Sequence, residues 1–336
     1  MDYRSLGRTG VMVSEQCLGC MMFGGRTNAE DSARIIDRAL AAGINFLDTA
    51  NVYSRGLSEE VTGKALQQNG KRLQIVLATK VFGRMNDEDP NAWHSHRRHI
   101  IEQCEASLRR LQTDYIDLYQ IHRPTSAIPI DETLRALDDL VRAGKVRYIG
   151  TSTFAAWQLV ESLWVSKEYQ LNRFISEQPP YHLLDRRIER ELIPMCQTYG
   201  IALLPWSPLA GGFLTGKYRR GDTRPQDSRF GQEGSDEWAD RHFSDLAFQA
   251  LELLDEMAQE KGCTISQLSL AWCTQQPGIT SPIIGPRTME QLEDNLGAAE
   301  VKISDEDRQR IEKVIPPGRA IVSYYEADFG PHKFRW

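Results

Sequence analysis

Residues 43–63 read GINFLDTANVYSRGLSEEVTG. An apolar run (Ile44, Phe46, Leu47) stops abruptly at Asp48, and Tyr53 follows in what reads as a loop. An acid closing a strand contributes little to packing. Two further strand-like runs end the same way: IVLATK, residues 75–80, closes on Lys80, and IDLYQIH, residues 116–122, closes on His122. Laid side by side and parallel, these strands bring a carboxylate, a phenol, an ammonium and an imidazole to one end of a sheet. That end is where barrels of alternating strands and helices carry their chemistry.

Outward from this stretch, strands and helices alternate. Strand-like runs are VSEQCLG (13–19), INFLD (44–48), IVLATK, IDLYQIH, VRYIGTS (146–152), FISEQ (174–178), IALLPWS (201–207) and ITSPIIG (279–285). Between them lie segments with apolar residues three and four apart, such as Ala33-Ile36-Ala39-Leu40, Ile101-Cys104-Leu108-Leu111 and Leu134-Leu137-Leu140-Val141. Asn28 and Ser58, each with acids in the following turn, are placed as helix caps. Gly43, Gly144 and Gly200 each end a helical pattern just before a strand. Parallel neighbours need crossover connections, so eight such units predict an α/β fold, a closed (β/α)8 TIM barrel. Tyr3 to Val13, with Gly7 and Gly10, reads as an N-terminal hairpin that plugs the barrel bottom.

Three segments break the alternation: a loop at 83–95 after the Lys80 strand, a longer one at 207–243 after strand seven, and a C-terminal tail at 315–336. Long loops in a compact domain are usually functional or mobile, and all three are expected on the site face. No internal repeat or linker interrupts the chain, so residues 1–336 are read as a single domain. A barrel of this kind needs about 250 residues and grows by insertion, which 336 residues accommodate.

Composition narrows the function. A net charge of −6 without a dense Lys/Arg block argues against a nucleic-acid partner. No apolar run is long enough to span a membrane, and MDYRSLGRTG lacks a signal-peptide pattern, so a cytoplasmic location is expected. Six scattered cysteines read as reduced, mostly buried thiols, including the Cys17–Cys20 pair of CLGC, which lacks the context of a redox or metal motif.

The four polar strand-end residues form a coherent set. Reducing a carbonyl takes a hydride to carbon and a proton to oxygen. A tyrosine can give the proton, and a nearby ammonium makes its release easier. Tyr53 is thus the candidate acid, Lys80 its modifier, Asp48 the carboxylate that holds Lys80 in place, and His122 a donor that orients the carbonyl. Alone, each residue has a bland alternative as a cap, anchor or turn residue. Together at the ends of consecutive strands they call for chemistry.

These motifs resemble those of the aldo-keto reductase family, whose active site carries Asp, Tyr, Lys and His in this chain order. GINFLDTANVYSRGLSEEVTG is similar to the stretch around the family's catalytic Asp and Tyr, LATK to its lysine strand and DLYQIHRP to its histidine strand. The similarity runs from about Tyr3 to Leu296. The 207–243 loop resembles that of the branch with bacterial aldehyde and ketosugar reductases and potassium-channel beta subunits. The resemblance implies an NADPH-dependent oxidoreductase acting on a small-molecule carbonyl. Two alternatives stand beside it: an NADPH-binding regulatory subunit of the channel-beta type, and an NAD-dependent alcohol or sugar dehydrogenase.

No G-x-G-x-x-G follows a strand, so a Rossmann site is not indicated. The last strand instead leads into IIGPRTMEQLEDNL, where Gly285 permits close backbone approach, Thr288 can cap the next helix, and Arg287 stands beside its N-terminus. Such a place favours an anion, though a capped helix with a stray Arg has the same appearance. By resemblance, Arg287 would meet the 2′-phosphate of NADPH, with Gln291 and Asn295 reaching adenine or its ribose. Ser152 and Gln178, with Thr153 where many relatives carry Asn, would hold the nicotinamide carboxamide. Trp206 would stack on nicotinamide, with Ser207, Leu209, Gly211 and Lys217 along the pyrophosphate and Arg229 as a clasp.

Two further motifs are incomplete. Gly211 to Lys217 matches the start of a P-loop, but Tyr218 stands where Mg²⁺ needs Ser or Thr. His94, His96 and His99 invite a metal, yet no nearby Cys or acid completes a ligand set, and a polar helix start explains them. The tail aromatics Tyr324, Tyr325, Phe329, Phe334 and Trp336 are open to lining a substrate pocket, packing on the barrel, or pairing subunits in a homo-oligomer.

Overall fold

The structure, a computed structural model, describes residues 1–233 and 235–322, with the backbone alone at 236–238. Strands β1 (Tyr3–Ser5) and β2 (Met12–Ser14) form the expected antiparallel hairpin. Then follow β3 (Cys17–Gly19), β4 (Phe46–Asp48), β5 (Val76–Val81), β6 (Ile116–Ile121), β7 (Val146–Ser152), β8 (Ser176–Gln178), β9 (Ala202–Leu203) and β10 (Ile283–Ile284). These eight make one sheet in the order β10-β3-β4-β5-β6-β7-β8-β9, each pair parallel. Beyond β9, the Ile283 N–H donates to Pro205 O at 2.8 Å and the Thr280 N–H to Leu203 O at 2.9 Å. The two edges therefore meet, and the sheet curls into a (β/α)8 barrel.

Helices cover the outside: α1 (Ala29–Ala41), α2 (Leu57–Asn69), α3 (Arg97–Leu111), α4 (Ile130–Arg142), α5 (Ala156–Glu168), α6 (Leu192–Tyr199), α7 (Asp236–His242), α8 (Asp245–Lys261), α9 (Ile265–Thr274), α10 (Met289–Gly297) and α11 (Asp305–Val314). Alternation along each strand separates two cores. Leu18, Leu47, Leu77 and Val81 face the helices, while Cys17, Phe46, Val76, Ala78 and Leu118 fill the lower barrel. Leu6 and Val13 of the hairpin join that inner cluster, fully buried. Arg4 ties the hairpin down by donating to Thr274 O at 2.7 Å and Ile279 O at 2.9 Å. The hairpin is the barrel's floor.

Helix ends follow the sequence with one correction. Asn28 caps α1, its side chain accepting from Asp31 N. Gly200 ends α6 at φ 67°, and Gly43 and Gly144 follow the last residues of α1 and α4 with φ of 94° and 72°. Ser58 does not cap α2. Gly56, left-handed at φ 100°, precedes that helix, and the Ser58 hydroxyl is buried, donating to Cys20 O at 2.7 Å beside Thr49 Oγ1.

The segment at 207–243 carries more order than its composition implies. It holds two 3-10 turns (Ala210–Thr215 and Arg229–Gly231) and α7. Phe213, Tyr218, Phe230 and Phe243 form a ring cluster with centroids 5.3–6.2 Å apart. This is also why Gly211–Lys217 is no P-loop: Tyr218 is consumed in packing and no helix begins at Lys217. The tail aromatics lie outside the described residues. Among those described, no helix is long and apolar enough to cross a membrane.

Candidate active site

Parallel register brings the polar strand ends to one level. Gly19 pairs with Asp48, Asp48 with Ala78, and Lys80 with Gln120, so Asp48, Lys80 and Gln120 all point into the barrel above the apolar layer. Lys80 is fully buried and forms an ion pair with Asp48 Oδ1. Its ammonium also donates to Thr49 O at 2.9 Å and to the Tyr53 hydroxyl at 3.3 Å. A buried charge without such partners would neutralise. Burial opposes the Lys80 charge, but the Asp48 carboxylate and the Tyr53 hydroxyl outweigh it, so the lysine titrates above its ordinary value.

Tyr53 reaches this point through a tight turn. Ser54, Arg55 and Gly56 follow it with φ of 47°, 53° and 100°, a run of left-handed backbone that turns the chain straight into α2. Positive φ at two non-glycine residues is costly and concentrates at functional sites. Arg55 pairs with Asp87 at 2.9 Å, which ties the turn to the 83–95 loop. The His122 ring stands edge-on to Tyr53, centroids 5.6 Å apart. Burial, with Arg123 and Lys80 close by, lowers the His122 pKa well below the ordinary imidazole value. It is therefore neutral and can offer one N–H without carrying charge.

The residues read as nicotinamide contacts sit together at the ends of β7 and β8. Ser152 Oγ donates to Gln178 O at 2.9 Å. Thr153 lies at φ 67°, and its hydroxyl accepts from Arg123 at 3.0 Å. Gln178 Nε2 donates to Asp48 Oδ2 at 3.0 Å, so this amide touches the Asp48–Lys80–Tyr53 group directly. Glu177, fully buried, accepts from Thr151 Oγ1 at 2.5 Å and from Phe154 N at 3.1 Å and so braces the turn. Burial pushes its pKa up to about 8. Half-buried Trp206 follows β9, with Arg123 5.7 Å from its ring centre.

A cationic cluster lies beyond β9 and β10. Thr288 caps α10 by accepting from Gln291 N, and Gln291 Oε1 accepts from Arg287 N at 2.8 Å. The Arg287 guanidinium donates to Asp227 Oδ1 at 2.9 Å, and Arg26 donates to the same oxygen at 2.6 Å. Partial burial first, then Arg287, Arg229 and Arg26, lower the pKa of Lys217. Its ammonium lies only 3.0 Å from where a Cβ on Gly212 would stand, so the left-handed Gly211–Gly212 turn leaves it room. Ser207, at φ 55°, and half-buried Leu209 lead into that turn, and Asn295 is buried one helical turn beyond Gln291 on α10. A Cβ on Gly285 would meet nothing within 4 Å, so internal packing does not demand glycine there. Arg287 beside a helix N-terminus, with Arg26, Lys217 and Arg229 close by, has the chemistry of a phosphate site. Asp227, an exposed carboxylate, is the anion that Arg26 and Arg287 hold in this structure. A nucleotide phosphate fits the donor set.

A family model described as "Aldo/keto reductase family" matches residues 16–316. The chain belongs to the aldo/keto reductase family. It is 38% identical to "Uncharacterized oxidoreductase YrpG" of Bacillus subtilis, covering 95% of this chain and 97% of that one. It is 37% identical to a "Probable voltage-gated potassium channel subunit beta" of Oryza sativa, covering 94% and 97%. It is 36% identical to "Versiconal hemiacetal acetate reductase" of Aspergillus parasiticus, covering 95% and 99%. Membership in the aldo/keto reductase family marks the chain as an oxidoreductase.

Several residues at the site escaped the sequence reading. Gln120 lies two positions before His122 on the same strand face, a signal that strand alternation contains. Arg26 and Asp227 meet across two loops and left no signal. The cysteines of CLGC are both buried and unpaired, and burial pushes Cys20 up to about 12, so neither is poised for redox chemistry. His96 caps α3, accepting from His99 N, and no metal-ligating group of three occurs among the described residues.

Proposed function

We propose that this chain is a single-domain, NADPH-dependent reductase that converts an aldehyde or ketone to an alcohol. The observation that carries the proposal is the Lys80 ammonium, buried and bonded at once to Asp48, Thr49 O and the Tyr53 hydroxyl. NADPH supplies the hydride when bound. The chain's own residues do the rest. Tyr53 donates the proton to the carbonyl oxygen, Lys80 eases its release, and Asp48 keeps Lys80 charged and still. Neutral His122 donates its N–H to the same oxygen and fixes the carbonyl's direction. Ser152, Thr153 and Gln178 hold the carboxamide, and Trp206 supplies an apolar face. Ser207, Leu209, Gly211, Lys217 and Arg229 follow the pyrophosphate, while Arg287, Gln291 and Asn295, with Gly285 clearing the approach, take the adenosine end.

Arg287 favours NADPH over NADH, because only the former offers a 2′-phosphate. Arg287→Ala should weaken NADPH binding about tenfold or more and leave NADH binding nearly unchanged, read as dissociation constants. Equal loss for both nucleotides would contradict this assignment and reopen the NAD-dependent dehydrogenase.

A second reading is favoured by the likeness to the plant protein named as a channel beta subunit. In it, this chain binds the nucleotide as a regulatory partner and turnover is incidental. A panel of aromatic aldehydes, aliphatic aldehydes and ketosugars separates the two. Carbonyl-dependent NADPH consumption within the usual enzymatic range supports the reductase. Tight NADPH binding without turnover, together with a stable hetero-complex on a native gel, supports the second reading.

A further inference from the structure

The Asp48 carboxylate has two oxygens with different neighbours. Oδ1 faces Lys80. Oδ2 accepts from Gln178 Nε2 at 3.0 Å and from Gln120 Nε2, also at 3.0 Å. The two amides bond to each other as well, Gln178 Nε2 donating to Gln120 Oε1 at 3.2 Å. Gln120 is fully buried, and its side chain lies over Gly150. A Cβ at position 150 would stand 3.3 Å from Gln120 Cγ and 2.2 Å from Ser176 Oγ, so glycine there clears the shelf on which the amide rests. A buried amide pointing into the barrel above Phe46, Ala78 and Leu118 costs desolvation unless its bonds are made.

We propose that Gln120 is a positioning residue: it holds Oδ2 of Asp48 so that Oδ1 stays on Lys80, and it keeps that hold when Gln178 turns its amide toward the nicotinamide carboxamide. The inference rests on the proposed roles of Asp48, Lys80, Tyr53 and Gln178. With Gln178 drawn away, Gln120 is the neighbour left on Oδ2. A neutral amide suits the task, because it donates to a carboxylate without adding charge to a crowded site. The titratable and charged groups facing Asp48 and its partner Lys80 are Tyr53 from the turn before α2, Cys17 and Cys20 from β3 and its end, and His122 from the end of β6, with Arg123 next to His122. Among the described residues, Lys80 is the one charged group that bonds the Asp48 carboxylate. The raised titration of Lys80 depends on that carboxylate, so loosening Asp48 lets Lys80 lose its proton at lower pH.

The test compares the native chain with Gln120→Met, which keeps length and removes the amide, and with Gln120→Glu. In Gln120→Met, kcat for the best carbonyl of the panel should fall about tenfold or more while the NADPH dissociation constant stays within about twofold. The alkaline limb of kcat against pH should move to lower pH. The Lys80 resonance in ¹⁵N-lysine-labelled protein without nucleotide, assigned against Lys80→Met, should titrate at lower pH than in the native chain. Gln120→Glu should recover activity as pH falls, since a protonated glutamic acid can donate to Oδ2 and an ionised one repels it. If Gln120→Met fails to fold, the pH dependence of Gln120→Glu decides. An unchanged pH profile and Lys80 titration would overturn the inference, even with a lowered melting temperature. Tyr53→Phe run in parallel separates the failures: if it stays active, the proton-transfer reading is wrong; if it is dead while Gln120→Met behaves as native, only the role of Gln120 is wrong.

Discussion

Thr153 is a β-branched residue held at φ 67°, where its Cβ crowds the backbone. Its hydroxyl takes a bond from Arg123, and the buried Glu177 accepts the N–H of the next residue. Asparagine tolerates left-handed backbone better than threonine does. Thr153→Asn should therefore stabilise the fold by about 1 kcal/mol, read as a raised denaturant midpoint with an unchanged m-value. A lowered midpoint would mean that the Arg123 bond outweighs the backbone strain. Single residues also mark where sequence reading stops. Asn28 and Ser58 carry the same cap signature, a small polar residue followed by acids, yet only Asn28 caps. Gly56 already starts α2 and places Ser58 inside the site wall, where its hydroxyl serves Cys20 O. A cap motif reports local preference and is silent about a neighbour far along the chain.

Five of the strands were legible because each run ends in a polar group that packing alone would not put there. Asp48, Lys80, His122, Ser152 and Gln178 all close runs that the structure pairs in parallel. Their alternation also contained Gln120, which strand face alone assigns to the interior. The contact of Gln178 with Asp48 was not legible, since it depends on barrel closure and register rather than on spacing. The ion pair of Asp227 with Arg26 and Arg287 was hidden for the same reason. The N-terminal hairpin was legible as a hairpin, and its burial confirms it as a floor. Leu6 is fully buried against the lower barrel. Leu6→Ala should cost about 2–5 kcal/mol of unfolding free energy in a denaturant titration, the range for a cavity in a packed core. A cost below about 0.5 kcal/mol would mean that the hairpin lies on the barrel without filling it.

Across the whole molecule, buried titratable groups set how the fold meets a change in pH. His99 on α3 is buried, and burial first, with His96 beside it, lowers its pKa from 6.5 to about 4. The folded value lies below the unfolded one, so the unfolded chain binds the extra proton between them. The stability that neutral His99 contributes is complete above pH 6.5 and is lost as pH falls toward 4. The melting temperature should drop over that window, and His99→Leu should flatten the drop. An equal drop in the variant would assign acid sensitivity to other groups. Lys80 works in the opposite direction: its raised pKa keeps the ammonium charged until pH rises past the ordinary lysine value, so the site is built to stay charged at neutral pH.

Barrel and register together produce one arrangement, a phenol held beside a buried ammonium. The most direct test is NADPH oxidation at 340 nm with the best carbonyl substrate, for the native chain and Tyr53→Phe, beside NADPH binding by both. The variant should bind NADPH as the native chain does and lose about 10²–10⁴-fold in turnover, the scale of a missing general acid. A variant that turns over at the native rate would contradict this, because the proton would then come from another group.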